Sequence, residues 1–220
     1  MKLACLFSGV KDSCLALHKA KMDGHEVLYL LNMNTKTKDS FMFHKPDLKL
    51  IKKQAEMLGI KLIMGKTEGK KEEELEDLKK LILKVKDKVD GILIGGLASN
   101  YQGERLQKIA DEFRLKLIAP LWGYNSEKLW KELLDLGFKV ILTKISCEGI
   151  PKEYLGKIID RKEYSELERL SKKFKFRLDF EGGEAESAVL FMPGFKEEIK
   201  ITGKINSEDK YRHFLKIKLL

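Results

Sequence analysis

Two hydrophobic patterns alternate along the first two-thirds of the chain, and this alternation constrains the fold more than any other feature. Apolar runs of strand length are followed by stretches in which apolar residues recur with the helical period. Such an order is typical of a parallel β-sheet covered by helices on both faces. We predict six strands here, at residues 2–7, 26–31, 61–64, 91–94, 115–118 and 139–144.

The helices predicted between these strands lie at residues 13–22, 47–58, 72–86, 104–112 and 126–136. Gly24, Gly59 and Gly137 follow three of them, where a left-handed C-cap is expected. From residue 146 the pattern changes to one charged helix and three β-prone runs. We therefore predict a doubly wound, mostly parallel α/β domain of the Rossmann-like kind at residues 1–145 and a smaller α+β lobe at residues 146–220.

The composition argues against a membrane protein and against a disulfide-rich one. No apolar run approaches the roughly 18 residues that a membrane span requires, and the few residues before Ser8 are too short for a signal peptide. We therefore expect a cytoplasmic location. Cys5, Cys14 and Cys147 form no CxxC pair and are odd in number, which argues against a disulfide framework or a zinc site.

The net charge of +9, from 43 Lys and Arg against 34 Asp and Glu, favours anionic partners. However, many lysines alternate with glutamates, as in residues 70–74, and this pattern usually forms a solvated helix face. The sequence therefore argues against nucleic acid as a partner. It leaves the oligomeric state open.

Residues 8–13 read Ser-Gly-Val-Lys-Asp-Ser and stand between the first predicted strand and the first predicted helix. A turn at this place brings backbone N–H groups and a helix N-terminus to the carboxyl edge of the sheet, where open α/β folds bind ligands. Ser8 and Ser13 add hydroxyl donors, Lys11 adds charge, and Gly9 allows a close approach of the backbone. These features predict a phosphate-binding loop. A plain connection in which Ser8 and Asp12 cap the helix would also fit.

The loop is not one of the two common nucleotide motifs. GxxxxGK[ST] and GxGxxG are both absent, which argues against a kinase-like NTPase and a dinucleotide-dependent dehydrogenase. Residues 8–13 instead resemble the SGGxDS signature of the PP-loop ATP pyrophosphatases, which cradle the β and γ phosphates of ATP and cleave between α and β. Val10 stands where the second glycine is usual, so the turn must avoid a positive φ at this residue.

Further motifs follow the loop in the order expected for one family, over residues 3 to about 200. They are DSFMFH at 39–44, GGLASNYQ at 95–102 with Arg105, PLWG at 120–123, LG at 155–156 and EGGEAES at 181–187. Taken together they resemble the diphthine–ammonia ligase family. The resemblance implies a PP-loop fold and ATP-dependent amidation of diphthine, a modified histidine of translation elongation factor 2. It also implies adenylation of the diphthine carboxylate, release of AMP and pyrophosphate, and ammonium as the nitrogen source.

The resemblance also implies where ATP and Mg²⁺ bind. Asn32 and Met33 end the second predicted strand, where PP-loop enzymes meet adenine largely through backbone groups. Lys11 and Asp12 are candidates for catalysis, and Asp12 is the candidate Mg²⁺ ligand. The candidates for binding ATP are Ser8, Gly9, Val10, Lys11, Asp12, Ser13, Asn32, Met33, Gly95 and Ser99.

The segment 95–105 follows a buried strand and enters a helix, so its polar groups can face the carboxyl edge of the sheet. The guanidinium of Arg105 suits a phosphate or a carboxylate, although a surface ion pair would explain it equally simply. His44 is either an acceptor contact or a structural histidine, in a segment, 34–46, that is either a mobile loop or a lid. The candidates for binding the acceptor are His44, Tyr101, Gln102, Arg105, Glu181, Gly182 and Gly183.

The segment 181–187 places three carboxylates around two glycines. Glu181, Glu184 and Glu186 can bind Mg²⁺, hold ammonium or deprotonate it, and we take Glu184 and Glu186 as catalytic candidates. The family shows GEGGE followed by an aromatic residue, an acid and threonine, whereas this chain has Phe180, Ala185 and Ser187 at three of these positions. Amidation of a different carboxylate therefore stays open.

Two other functions remain compatible with the sequence. A tRNA-modifying PP-loop enzyme would suit the positive charge, but it lacks the support of cysteine pairs. An ATP sensor without catalysis would suit Val10 and the altered 181–187 segment. ATP binding without any AMP would indicate the sensor.

Overall fold

The structure, a computed structural model, describes residues 1–35, 47–69, 73–96 and 100–220, and at residues 100–102 it describes the backbone alone. The chain forms two compact units, Met1–Gly123 and Tyr124–Leu220. Each unit contains its own β-sheet.

The sheet of the first unit has five parallel strands. They are β1 (Lys2–Leu6), β2 (Glu26–Thr35), β3 (Lys61–Thr67), β4 (Gly91–Leu93) and β5 (Lys116–Ile118). Their order across the sheet is β3-β2-β1-β4-β5, so the chain reverses its direction of winding between β1 and β4. In doubly wound folds ligands bind at the carboxyl edge of such a switch point. The predicted α/β fold class is confirmed.

Four helices connect these strands: α1 (Lys11–Met22), α2 (Leu48–Leu58), α3 (Glu73–Leu83) and α4 (Asn100–Glu112). The carboxylate of Asp47 caps α2 by accepting two N–H groups of its first turn. Gly59 ends α2 with a φ of 67°, and Gly24 and Gly137 also have positive φ, as the sequence predicts. Within the predicted helix 72–86, α3 ends at Leu83 and a short 3₁₀ turn follows at Lys86–Lys88.

One apolar cluster joins α3 and α4 to the sheet. Residues from α3, including Leu78, Leu81 and Ile82, pack with Leu106 and Ile109 of α4 and with apolar side chains of the strands. These side chains are at most 9% exposed, so their burial stabilises the helix layer on the sheet.

The second unit combines two helices with an antiparallel sheet. Its elements are α5 (Ser126–Asp135), β6 (Lys139–Ser146), α6 (Arg161–Phe174), β7 (Ala185–Phe191), β8 (Ile201–Ser207) and β9 (Arg212–Leu219). The strand order is β7-β6-β9-β8. Trp130 of α5 is fully buried, and its indole N–H donates to the carbonyl of Leu178 at 2.8 Å.

The sixth predicted strand exists but does not belong to the parallel sheet. β6 pairs antiparallel with β7 and β9, in the second unit. Its core residues Val140, Ile141 and Leu142 are almost completely buried, and such a continuous apolar run has the same pattern in a parallel and in an antiparallel sheet. Because the prediction assigned β6 to the first sheet, it placed the domain boundary after residue 145. The structure divides the chain earlier, between Gly123 and Tyr124.

None of the helices in the described part of the chain is both long and apolar enough to cross a membrane. The cytoplasmic location stays a prediction.

Candidate functional site

The loop between β1 and α1 lies at the switch point of the first sheet. The N–H of Phe7 still donates to the carbonyl of Leu31 in β2 at 2.8 Å, and the chain then leaves the sheet and enters α1. Gly9 has a φ of 74°, in the left-handed region that glycine adopts without strain. Val10 is the N-cap of α1 with φ −81° and ψ 167°. The replacement of the usual second glycine by Val10 therefore costs no backbone strain, as the sequence analysis requires.

The two serines of the loop contact one another. The hydroxyl of Ser8 donates to Ser13 Oγ at 3.2 Å, and Ser13 Oγ donates to the carbonyl of Val10 at 3.1 Å. This chain of bonds holds the turn closed over the start of α1. The N–H groups of the first helical turn have no partners within a helix, so a helix N-terminus of this kind favours an anion.

Lys11 and Asp12 form a largely buried ion pair. Lys11 Nζ lies 2.8 Å from Asp12 Oδ2, and the two side chains are 3% and 13% exposed. The other carboxylate oxygen of Asp12, Oδ1, is buried and makes no hydrogen bond within the described part of the chain. Because buried carboxylate oxygens normally have partners, Oδ1 is available for a ligand or a metal ion.

The structure brings Gly95 directly against this loop. Gly95 follows β4, and a Cβ atom placed on it would lie 2.7 Å from the backbone nitrogen of Ser13 and 2.8 Å from the carbonyl carbon of Asp12. Only glycine allows so close an approach between the two segments. The predicted ATP-binding residues of the loop and Gly95 therefore come together at one edge of the sheet.

Asn32 supports the loop from β2. Its side-chain N–H donates to the carbonyl of Phe7 at 2.9 Å, and its Oδ1 is buried without a hydrogen-bond partner among the described residues. Met33 points into the apolar cluster of α3 and α4, so any role in adenine binding falls to its backbone. The adenine-binding role of residues 32 and 33 stays a prediction.

Gln54 also contacts the loop, although the sequence analysis missed it. This side chain of α2 is fully buried, and its Nε2 donates to the carbonyl of Gly9 at 2.8 Å. The sequence did contain a signal: Gln54 lies on the buried face of an amphipathic helix together with Ile51, Ala55, Met57 and Leu58. A polar residue on the buried face of a helix requires a hydrogen-bond partner.

The remaining predicted residues of the first unit lie outside the described part of the chain or on helix α4. His44 and Ser99 lie outside the described residues, and so does most of the segment 34–46, of which Asn34 and Thr35 end β2. Tyr101 and Gln102 lie in the first turn of α4. Arg105 follows them on the same helix with a partly buried side chain.

The 181–187 segment lies in the second unit and leads into β7. Its turn is closed by the N–H of Gly183, which donates to the carbonyl of Phe180 at 3.1 Å, while Gly183 has a φ of 82°. Phe180 itself has a φ of 63°, in the region that glycine adopts with less strain than phenylalanine. Its ring packs edge-on against Trp130, with 6.2 Å between the ring centroids.

The three glutamates of this segment have different surroundings. Glu184 Oε1 accepts the backbone N–H of Arg177 at 3.1 Å, whereas its Oε2 is buried and has no hydrogen-bond partner in the described ranges. Glu186 forms an ion pair with Lys144 at 3.2 Å. Glu181 is exposed, as are Gly182 and Gly183. Glu184 is therefore the glutamate with a buried oxygen left for a ligand.

Two contacts fix the position of Glu184. Its own carbonyl accepts the N–H of Ser146 at 2.7 Å, which ties it to the end of β6. Arg177, whose N–H it accepts, is held in turn by Asp179, which receives two guanidinium N–H groups at 2.9 and 2.8 Å. The pKa of Arg177 is raised, first of all by its hydrogen bonds to Asp179.

The cysteines do not provide a nucleophile. Burial raises the pKa of the Cys5 and Cys14 thiols well above the ordinary value. The pKa of Cys147 is raised to about 11, first by partial burial and then by the nearby carboxylate of Glu184. All three are therefore neutral thiols at neutral pH, whereas the thiolate is the reactive form.

The donor set of the loop fits Mg²⁺ only in combination with a bound phosphate. In the described residues no group of three or more His, Cys, Asp or Glu side chains could hold a metal ion. Mg²⁺, however, usually binds through one or two carboxylates together with substrate phosphates and water. Asp12 Oδ1 is a buried oxygen of this kind beside the helix N-terminus.

The fold and the loop define a doubly wound α/β protein whose glycine-containing strand–loop–helix connection lies at the switch point of the sheet. Residues 1–117 match the family model of the diphthamide synthase N-terminal domain, and residues 125–219 match that of the diphthamide synthase C-terminal domain. The chain belongs to the diphthamide synthase family.

Relatives with assigned names agree with this family. The diphthine–ammonia ligase of Bos taurus is 33% identical over 221 residues, which cover 90% of this chain and 82% of that protein. The diphthine–ammonia ligase of Homo sapiens is 30% identical over 236 residues, which cover 96% of this chain and 88% of that protein. A solved structure of a predicted subunit of tRNA methyltransferase from Methanocaldococcus jannaschii is 18% identical with a TM-score of 0.46, covering 90% of this chain and 100% of that one. A similarity at this level carries no weight for function.

Proposed function

We propose that this protein is an ATP-dependent diphthine–ammonia ligase. It adenylates the carboxylate of diphthine on translation elongation factor 2, releases pyrophosphate, and lets ammonia displace AMP to give diphthamide. The observation that carries the proposal is the loop from Ser8 to Ser13, packed against Gly95 in a chain of the diphthamide synthase family.

The loop provides the groups that a triphosphate requires. Backbone N–H groups at the start of α1 attract anions, and the hydroxyls of Ser8 and Ser13 lie beside them. The positive φ of Gly9 lets the loop turn sharply, and the missing side chain of Gly95 lets the segment after β4 pack directly against the loop. We assign the β and γ phosphates of ATP to this cradle, and the adenine to the ends of β2 and β4.

Asp12 is the residue that would hold Mg²⁺, through Oδ1. When bound, Mg²⁺ neutralises charge on the phosphates and on the leaving pyrophosphate. Lys11 holds the opposite oxygen of Asp12 at 2.8 Å and so fixes the direction of Oδ1. Lys11 is thus proposed to act mainly by orienting Asp12.

Amidation of a carboxylate requires this kind of activation because a carboxylate oxygen is a poor leaving group. A diphthine oxygen forms a bond to the α phosphorus while the bond from that phosphorus to the bridging oxygen breaks. The nitrogen of ammonia then forms a bond to the carboxyl carbon, the bond to AMP breaks, and the nitrogen loses a proton. Fixed donors that stabilise the developing negative charge lower both barriers.

Glu184 is our candidate for the group that receives this proton. Its Oε2 is buried and without a hydrogen-bond partner among the described residues, so it can accept a hydrogen bond from ammonium and then a proton. Glu186 is paired with Lys144, which makes an orienting role more suitable for it. Residues 146–220 are proposed to bind the elongation factor.

An omission series tests the proposal. The protein is incubated with MgATP, ammonium and elongation factor 2 that carries diphthine, and each component is left out in turn. We expect AMP, pyrophosphate and diphthamide in the complete mixture, with no diphthamide when any component is missing. AMP without diphthamide would indicate another acceptor, and ATP binding without AMP would indicate a sensor.

A further inference from the structure

The buried side chain of Gln54 contacts the backbone of Gly9 in the phosphate loop. Both amide ends of Gln54 lie close to Gly9: Nε2 donates to its carbonyl at 2.8 Å, and Oε1 would lie only 2.0 Å from a Cβ atom at position 9. Gln54 is fully buried and lies 45 positions after Gly9 in the sequence. Helix α2 therefore holds the loop from behind, and it can do so only while position 9 is glycine.

This bond also fixes a group on the far side of the loop. The carbonyl of Gly9 and the N–H of Val10 belong to one planar peptide group and point in opposite directions when the peptide is trans. The structure contains no cis peptide bond in its described residues. Because the hydrogen bond from Gln54 orients the Gly9 carbonyl towards α2, the Val10 N–H points away from α2.

We propose that Gln54 is a positioning residue for the phosphates of ATP. By holding the Gly9 carbonyl, it keeps the Val10 N–H directed at the β and γ phosphates, a donor that would otherwise rotate with the peptide plane. The inference rests on the proposed ATP site. It gives a function to a fully buried amide on the apolar face of α2, where a polar side chain without a partner would be costly.

The first test replaces Gln54 by methionine, which has a similar length and keeps the helix and the packing but removes the donor. We expect ATP to bind roughly fivefold to tenfold more weakly, which corresponds to the free energy of one lost hydrogen bond. AMP lacks the β and γ phosphates, so its affinity should change less than about twofold. Calorimetric titrations with ATP and with AMP measure both, and thermal unfolding reports any loss of stability. A purely structural role of Gln54 would weaken both ligands equally.

The second test uses Gln54→Glu and pH. A protonated glutamic acid can donate its O–H to the Gly9 carbonyl, whereas the ionised carboxylate cannot, and burial raises the pKa of a glutamate. The ATP affinity of Gln54→Glu, divided by that of wild type, should therefore rise as the pH falls, while the same ratio for Gln54→Met stays constant. This variant also keeps the inference testable if Gln54→Met does not fold.

Gln107→Met is the matched control, because this glutamine lies on the exposed face of α4 and bonds only Asp111 at 2.8 Å among the contacts described. It should bind ATP like the wild type. Equal losses of ATP and AMP affinity in Gln54→Met, or a pH-independent ratio for Gln54→Glu, would overturn the positioning role alone. Failure of the wild-type protein to bind ATP would overturn the ATP site together with this inference.

Discussion

Gly95 lies against Ser13 so closely that a single added carbon atom would come within 2.7 Å of the Ser13 backbone nitrogen. The contact joins the segment after β4 to the first turn of α1, on either side of the switch point. It ties the geometry of the phosphate loop to that of the neighbouring strand.

Gly95→Ala should therefore impair ATP binding. The new methyl group meets backbone atoms of Asp12 and Ser13, which cannot move aside as a flexible side chain would, so the loop must shift. We expect a loss of stability of about 1–3 kcal/mol and at least a tenfold weaker affinity for ATP. The neighbouring Gly96→Ala is the control, because nothing lies within 4 Å of its added carbon. Equal ATP affinities of the two variants, measured by titration, would contradict the assignment of Gly95.

Asp12→Asn should slow AMP formation strongly while ATP still binds weakly. The change removes the charge that we assign to Mg²⁺ but preserves the shape of the side chain, so the rate should fall on the order of a hundredfold. Circular dichroism at the assay temperature checks that the protein is folded, since disturbing a buried ion pair costs about 3–5 kcal/mol. Asp23→Asn, at the exposed end of the same helix, serves as the control. A folded Asp12→Asn protein with normal turnover would remove Asp12 from the site.

Glu184→Gln should separate ATP binding from amide formation. The variant keeps an oxygen to accept the Arg177 N–H but cannot take a proton at Oε2. We expect unchanged ATP affinity and at least a tenfold slower appearance of diphthamide. Glu197→Gln, on the surface of the same unit, should leave both unchanged. Mass spectrometry of the elongation factor gives the amidation rate, and a normal rate would exclude Glu184 as the base.

Cys147 provides a chemical probe of the Glu184 charge. Its pKa of about 11 predicts slow alkylation at neutral pH and a rate that rises until the pH passes this value. Because the Glu184 carboxylate raises this pKa, Glu184→Gln should lower it and speed alkylation at a fixed pH. Cys5 and Cys14 are completely buried and should stay unlabelled in the folded protein. Identical pH profiles of labelling in the two proteins would show that Glu184 does not act on Cys147.

The backbone at Phe180, directly before the 181–187 segment, has a positive φ whose cost can be measured. Phe180→Ala and Phe180→Gly both lose the ring that packs on Trp130, at a cost of about 3–5 kcal/mol. Glycine additionally relieves the positive φ of 63°, so Phe180→Gly should be the more stable of the two by about 1 kcal/mol. Urea unfolding of the second unit measures the difference. The opposite order would mean that this φ is not strained.

The sequence predicts the first sheet well, because its strands are short apolar runs separated by amphipathic helices. The same reasoning misplaces β6, since Val140 to Leu142 are equally apolar in either sheet. Pairing depends on distant partners in β7 and β9, which local periodicity does not contain.

The candidate site shows a similar limit. Residues 8–13 and Gly95 are visible in the sequence because loops with glycine, serine and charge after a strand are characteristic. Gln54 shows only that a buried polar residue of α2 needs a partner, and the partner itself, Gly9, lies 45 positions away in the sequence. The sequence also treats Glu184 and Glu186 alike, and only the structure shows that Lys144 pairs with the latter.

The most direct test of the account follows oxygen atoms through the reaction. Elongation factor 2 carrying diphthine with an ¹⁸O-labelled carboxylate is incubated with the protein, MgATP and ammonium, and the masses of the factor and of the nucleotide products are measured together. We predict diphthamide formation with one ¹⁸O transferred to AMP for each amide made. Label in inorganic phosphate, or an amide formed without labelled AMP, would contradict adenylation of the carboxylate.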